Sequence, residues 1–148
     1  MNLLALEKVV IDKSSQEIFD YVSNMENFSG WFTGVVHIAS LNELSHGAKG
    51  KTYLETVKIP FKGNSKVKIT VVESQSPTTF ITEGTLSPIK PRMEIAIRET
   101  SGGNEVIWAM YSRNNSFLFK RLMLPLVRSE MSKRAKRSVK RLKEKLGG

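Results

Sequence analysis

The chain opens on an apolar, β-branched run, Leu4 to Asp12 with Val9, Val10 and Ile11, which suits a strand. Ser14 and Glu17 follow at the spacing of a capping box, and Ile18, Phe19 and Val22 share one face of a short helix. Asn24 to Gly30 is polar and turn-prone, Trp31-Phe32 ends it, and Gly34 breaks the chain before Val35-Val36-His37-Ile38. From there to about residue 113 the period is two. Val67, Ile69 and Val71 alternate with Lys66, Lys68 and Thr70. Met93, Ile95 and Ile97 alternate with Glu94, Ala96 and Arg98, and Val106, Trp108 and Met110 with Ile107, Ala109 and Tyr111. Turn signals at 45–50, 60–64, 74–78, 84–91 and 101–104 separate the runs. Strands this close leave no room for helical crossovers, so the pattern predicts an antiparallel meander.

After Asn114-Asn115-Ser116 the spacing becomes helical. Val127, Met131, Ala135, Val139, Leu142 and Leu146 fall on one stripe, and basic residues cover the other faces. A straight helix from Ser116 to Leu146 would be about 45 Å long. Pro125 removes the bond to the Arg121 carbonyl. The expectation is a kink there, separating a lead-in segment (Phe117 to Leu124) from the main helix.

Charge sharpens this division. Residues 120–145 hold eleven Lys or Arg against Glu130 and Glu144, and so carry the whole net charge of +9. Residues 1–119 balance twelve basic against twelve acidic side chains. The length suits a single domain, residues 1–148, large enough to bury a core without staples. The absence of cysteine excludes disulfides, thiolate metal sites and cysteine nucleophiles. The start lacks the basic, apolar pattern of a signal peptide, and no apolar run reaches the ~20 residues of a membrane span. A cytoplasmic protein is expected.

Catalytic signatures are missing. There is no phosphate loop, nucleophile elbow or zinc-protease motif. His37 and His46 stand alone in the sequence, without companions at metal-ligand spacing. No metal or cofactor is expected.

The order of one strand, a short helical region, a strand meander and one long closing helix resembles the helix-grip fold of the START-like (SRPBCC) superfamily, and within it the polyketide cyclase/dehydrase-like proteins. The residues that carry the resemblance begin with Val10-Ile11-Asp12 leading into Ser15-Gln16-Glu17-Ile18-Phe19, then Trp31. Gly47 and Gly50 precede a strand with Tyr53, and Ser76-Pro77 precedes another. Gly103 to Trp108 and a last helix closing with Leu142-Lys143 complete the set. The resemblance implies an α+β fold in which a curved antiparallel sheet of six to seven strands wraps a long C-terminal helix. It also implies an apolar pocket between the two that takes lipids, polyketides, quinones or similar molecules.

On that fold the candidate lining is Trp31, Phe32, Tyr53, Glu55, Phe61, Met93, Ile95, Trp108, Met110, Arg113, Met123, Met131 and Ala135. Taken singly, each reads more simply as core filling. As a group, with small Ala135 and adaptable Met131 facing the sheet, they point to a cavity. Thr82, Arg92 and Arg98 are further candidate polar handles.

Three readings follow. The first is a protein that binds or carries a small hydrophobic or amphipathic ligand. The second is a cyclase or aromatase, which needs polar groups converging inside the pocket, with Tyr53, Glu55 and Arg113 as candidates. The third is weak attraction to an acidic surface, whether anionic lipid, nucleic acid or protein, through Lys133, Arg134, Lys136, Arg137, Lys140 and Arg141.

Overall fold

A computed structural model describes every residue from Met1 to Gly148. The predicted meander is present as seven strands: β1 (Asn2–Ile11), β2 (Val35–Ser40), β3 (Thr52–Ile59), β4 (Gly63–Gln75), β5 (Thr79–Gly84), β6 (Pro91–Thr100) and β7 (Gly103–Ser112). They form one sheet in the order β1-β7-β6-β5-β4-β3-β2, and every neighbouring pair is antiparallel. Register breaks at Leu3/Ala5, Val35/His37 and Val71/Glu73 interrupt the ladders. Such bulges bend a strand and tighten its twist, which lets the sheet curl.

Between β1 and β2 the chain forms α1 (Ser15–Val22) and a 3-10 turn (Met25–Gly30). The Ser14 hydroxyl accepts from the Glu17 N–H at 3.1 Å and donates to the Glu17 carboxylate at 3.0 Å. The cap therefore closes through the hydroxyl and not through the Ser14 backbone. Ile18, Phe19 and Val22 are buried, as their spacing predicts.

The closing helix α2 runs from Leu124 to Lys145. Ahead of it, Phe119 to Met123 form a π-helical turn, in which the Leu124 N–H donates to the Phe119 carbonyl. The expected disruption at Pro125 takes this form. Proline cannot donate to the Arg121 carbonyl, and a wider turn one step earlier absorbs the mismatch.

The concave face of the sheet and the apolar stripe of α2 share one core. Cross-strand pairs Met93–Met110, Ile95–Trp108 and Ile97–Val106 form adjacent rows. Ala135, Val139 and Leu142 of α2 pack into the same cluster. A smaller cluster of Leu4, Phe119 and Leu124 sits at the start of α2, with Ile89, Met110, Val127 and Met131 against it.

Three arginines and a serine bind α2 to the rest of the fold. Arg128 donates to the Leu3 carbonyl (2.8 Å), Arg134 to the Lys58 carbonyl (2.8 Å) and Arg141 to the Gly30 carbonyl (3.0 Å). Buried Ser138 accepts from the Thr33 N–H (2.8 Å) and donates to the Arg134 carbonyl (2.6 Å). Arg134 also pairs with Glu130 at 2.8 Å. The predicted basic surface thus divides in two. Arg134 and Arg141 serve the fold, while Lys133, Lys136, Arg137 and Lys140 remain exposed.

Candidate functional site: a chamber under the sheet

Two of the molecule's hollows differ in chemistry. The larger, about 530 Å³, is a groove on the flank of α2, lined by Thr33, Gly34, Val35, Val36, Lys58, Glu130, Lys133, Arg134 and Arg137. Five of its nine lining residues are charged, which suits it less to an apolar guest than the smaller hollow. The smaller, about 40 Å³, lies on the concave face of the sheet beneath the 3-10 turn. It is walled by Met25, Phe28, Val67, Ile69, Gly84, Pro91, Met93 and Met110, with Glu55 and Thr82 as its polar members.

The chamber is smaller than the pocket that the helix-grip resemblance implies. The space under the sheet is filled by an aromatic cluster. Phe28 stacks on Phe32 with centroids 4.9 Å apart and meets Trp31 edge-on at 5.1 Å, and Phe32 lies 5.0 Å from Trp108. Rings of this size take up volume between sheet and helix that a guest would otherwise fill. The buried indole N–H groups of Trp31 and Trp108 have no hydrogen-bond partner.

Glu55 is the chemically distinctive member. Strand β3 turns it inward beside Tyr53 and Val57, opposite Val67 of β4. It is buried, and burial pushes its carboxyl up to about 7, while the positive charge of Arg134 pulls the other way. A group in that state is protonated in a large fraction of molecules near neutrality and can donate or accept a hydrogen bond. Thr82, fully inward on β5, adds a hydroxyl to the same chamber.

The other predicted residues divide by position. Glu55, Met93 and Met110 line the chamber. Trp31, Phe32, Ile95, Trp108 and Ala135 are buried in the surrounding core, and Met131 packs on it half-buried. Phe61 does not belong to the lining. It occupies the tip of the β3–β4 hairpin at φ 66° and is fully exposed. Met123 lies 39% exposed on the outer side of the π turn. Arg113 is tied outside the chamber, donating to the Gly84 carbonyl at 2.6 Å and lying 3.5 Å from Glu83. Arg92 pairs with Glu83 and Glu94, and Arg98 with Glu105.

The chain belongs to the polyketide cyclase/dehydrase and lipid transport family. That family's sequence profile matches residues 6–147. The family's fold recurs in solved structures of low identity. The di-domain aromatase/cyclase StfQ of the steffimycin biosynthetic pathway superposes with a TM-score of 0.75 at 7% identity, over 97% of this chain and 50% of StfQ. The chain therefore spans half the length of that protein. TTHA0849 from Thermus thermophilus gives 0.73 at 10% identity, over 96% of this chain and 95% of its own. Ara h 8.0201 gives 0.68 at 13% identity, over 95% of each. No curated protein matches the sequence.

Two features of the neighbourhood escaped the sequence. Met25 and Phe28 line the chamber from the 3-10 turn, where residues three apart eclipse one another. That spacing was the available signal. His46, expected to stand alone, has its Nδ1 2.7 Å from the Tyr53 hydroxyl and its Nε2 3.6 Å from Glu26. Burial raises the Tyr53 hydroxyl above its ordinary value. Lys51 lies beside this pair, its ammonium 5.4 Å from the Tyr53 ring centroid and donating to the Asn42 carbonyl at 2.6 Å. The cluster holds the loop between β2 and β3 against the sheet, and none of its side chains lines the chamber.

Proposed function

We propose that the protein binds a small amphipathic molecule, with an apolar body and one hydrogen-bonding end, in the chamber under the sheet. The observation that carries this is Glu55, a carboxyl 9% exposed in a mostly apolar wall, which makes no hydrogen bond to another side chain or to the backbone. Burying an unpaired polar group is costly, and a ligand hydroxyl or carbonyl would offset that cost. The orphan indole N–H groups of Trp31 and Trp108 add further unmet donors nearby.

The chamber, at about 40 Å³, has room for little more than a water molecule, whereas ligand sites run to hundreds of Å³. Loading therefore requires side chains to swing aside. Met25, Met93 and Met110 are suited to this, because methionine is unbranched and repacks at low cost. Met110 also touches the cluster under the start of α2, so displacing it loosens that end of the helix. The family's description, which includes lipid transport, fits such a guest. Turnover is less well supported. A cyclase reading requires at least two polar groups converging in the chamber. Of its candidates Tyr53, Glu55 and Arg113, only Glu55 faces it, with the Thr82 hydroxyl as the other polar member. Tyr53 is bonded to His46, and Arg113 to the Gly84 carbonyl.

Native mass spectrometry of freshly purified protein tests the reading directly, together with titration of a fluorescent fatty acid. The expected result is a co-purifying lipid-like mass, or saturable probe uptake that weakens about tenfold in Glu55→Leu. A chain that carries no such mass and takes up no probe overturns it.

A further inference from the structure

The lead-in to α2 exposes what a water-soluble helix normally hides. Phe117 is 72% exposed, Leu118 68%, Leu122 64% and Leu126 73%, and Met123 joins them. The π turn arranges this. Its wider spacing turns Phe119 and Leu124 together into the cluster with Leu4, which leaves Leu118, Leu122 and Leu126 stacked on the outer side. Single exposed apolar residues are ordinary, but five within ten positions form a patch, and such patches mark interaction surfaces.

The charges within the patch say what it fits. Lys120 and Arg121 lie in the same turn, both exposed, and neither pairs with a carboxylate. From Asn114 to Ser129 there is no acidic residue. A surface for a second copy of the chain, whose net charge is +9, would bring like charges together. Aliphatic side chains interleaved with unpaired cations instead match the boundary of an anionic bilayer, with apolar groups among acyl chains and ammonium or guanidinium groups at phosphates. No helix is long and apolar enough to cross a membrane, so the mode is a shallow one.

We propose that the protein docks reversibly on anionic lipid surfaces through this turn, with Phe117, Leu118, Leu122 and Leu126 inserting and Lys120 and Arg121 pairing with headgroups. The site is distinct from the basic flank of α2 around Lys133, Lys136 and Lys140. The inference does not rest on an occupied chamber. The turn nevertheless backs onto Met110 through the Leu4, Phe119 and Leu124 cluster, so docking would place the Met110 end of the chamber toward the membrane.

Co-sedimentation with vesicles of phosphatidylcholine, with and without phosphatidylglycerol, tests this. The wild type is expected to bind the anionic vesicles and to bind neutral ones far more weakly. Leu122→Ser with Leu126→Ser, and separately Lys120→Glu with Arg121→Glu, should each weaken binding roughly tenfold or more. All four positions are exposed, so thermal melts should match the wild type. Lys133→Glu with Lys136→Glu and Lys140→Glu should change binding by less than about threefold. Three outcomes overturn the proposal: no anionic binding at low salt, binding lost only in the α2-flank variant, or a wild-type dimer that the leucine variant dissolves. Guest binding in the chamber is read by mass spectrometry without vesicles, so either idea can fail alone.

Discussion

Arg134 lays its guanidinium over the Cα of Gly34, in the space where any other residue would carry its Cβ. The contact joins α2 to the chain just before β2 and aims the same arginine at the Lys58 carbonyl and at Glu130. Gly34 also has φ 94°, a backbone region that L side chains avoid.

Gly34→Ala should therefore cost about 2 kcal/mol or more, since it adds backbone strain to the displacement of Arg134. Gly63→Ala is the comparator. Gly63 has φ 81° but no atom within 4 Å of a built Cβ, so only the strain remains. Urea unfolding of both variants separates the two contributions. Equal losses would show that the guanidinium contact contributes nothing.

Glu55 makes stability depend on pH. Its carboxyl sits at about 7 in the folded chain against an ordinary value of 4.5. The native state thus holds the proton more tightly than the unfolded chain. Stability is greatest below about 4.5 as far as this group is concerned, and falls as pH rises to about 7, by on the order of 3 kcal/mol. Glu55→Gln should remove that slope and be more stable than the wild type at pH 8. Denaturant melts of both proteins at pH 5 and pH 8 check it, and identical slopes would sink the assignment.

The Tyr53 hydroxyl and His46 Nδ1, 2.7 Å apart, tether the loop between β2 and β3. Tyr53→Phe keeps the buried ring and deletes that bond, so a loss of about 1 kcal/mol is expected. Amide hydrogen exchange should quicken in residues 41–50 and stay unchanged in β6 and β7. Uniform quickening throughout would mean that the bond supports the whole sheet instead.

Period-two alternation told the strands apart, and the stripe from Val127 to Leu146 marked the closing helix. Both signals are local, because a side chain's face follows from its position along the backbone. Even the row Met93, Ile95 and Ile97 against Met110, Trp108 and Val106 was legible, since parity and a short turn set it. Pro125 announced a break, although its form as a π turn depended on how Phe119 and Leu124 reach Leu4.

The tertiary structure decided what composition and spacing could not. Phe61 is as apolar as Phe28, yet one caps a hairpin in water and the other walls the chamber. Arg134 and Lys133 are neighbours in one basic run, yet the first is bonded to Lys58 and Glu130 and the second is free. His46 found Tyr53 and Glu26 only when the loop folded back over β3. The size of the hollow was decided last. It depends on how the rings of Phe28, Trp31 and Phe32, from one short stretch, share a volume with Trp108 of the distant strand β7. Local pattern reports which face a residue presents, whereas distances, volumes and partners exist only once remote segments are packed together.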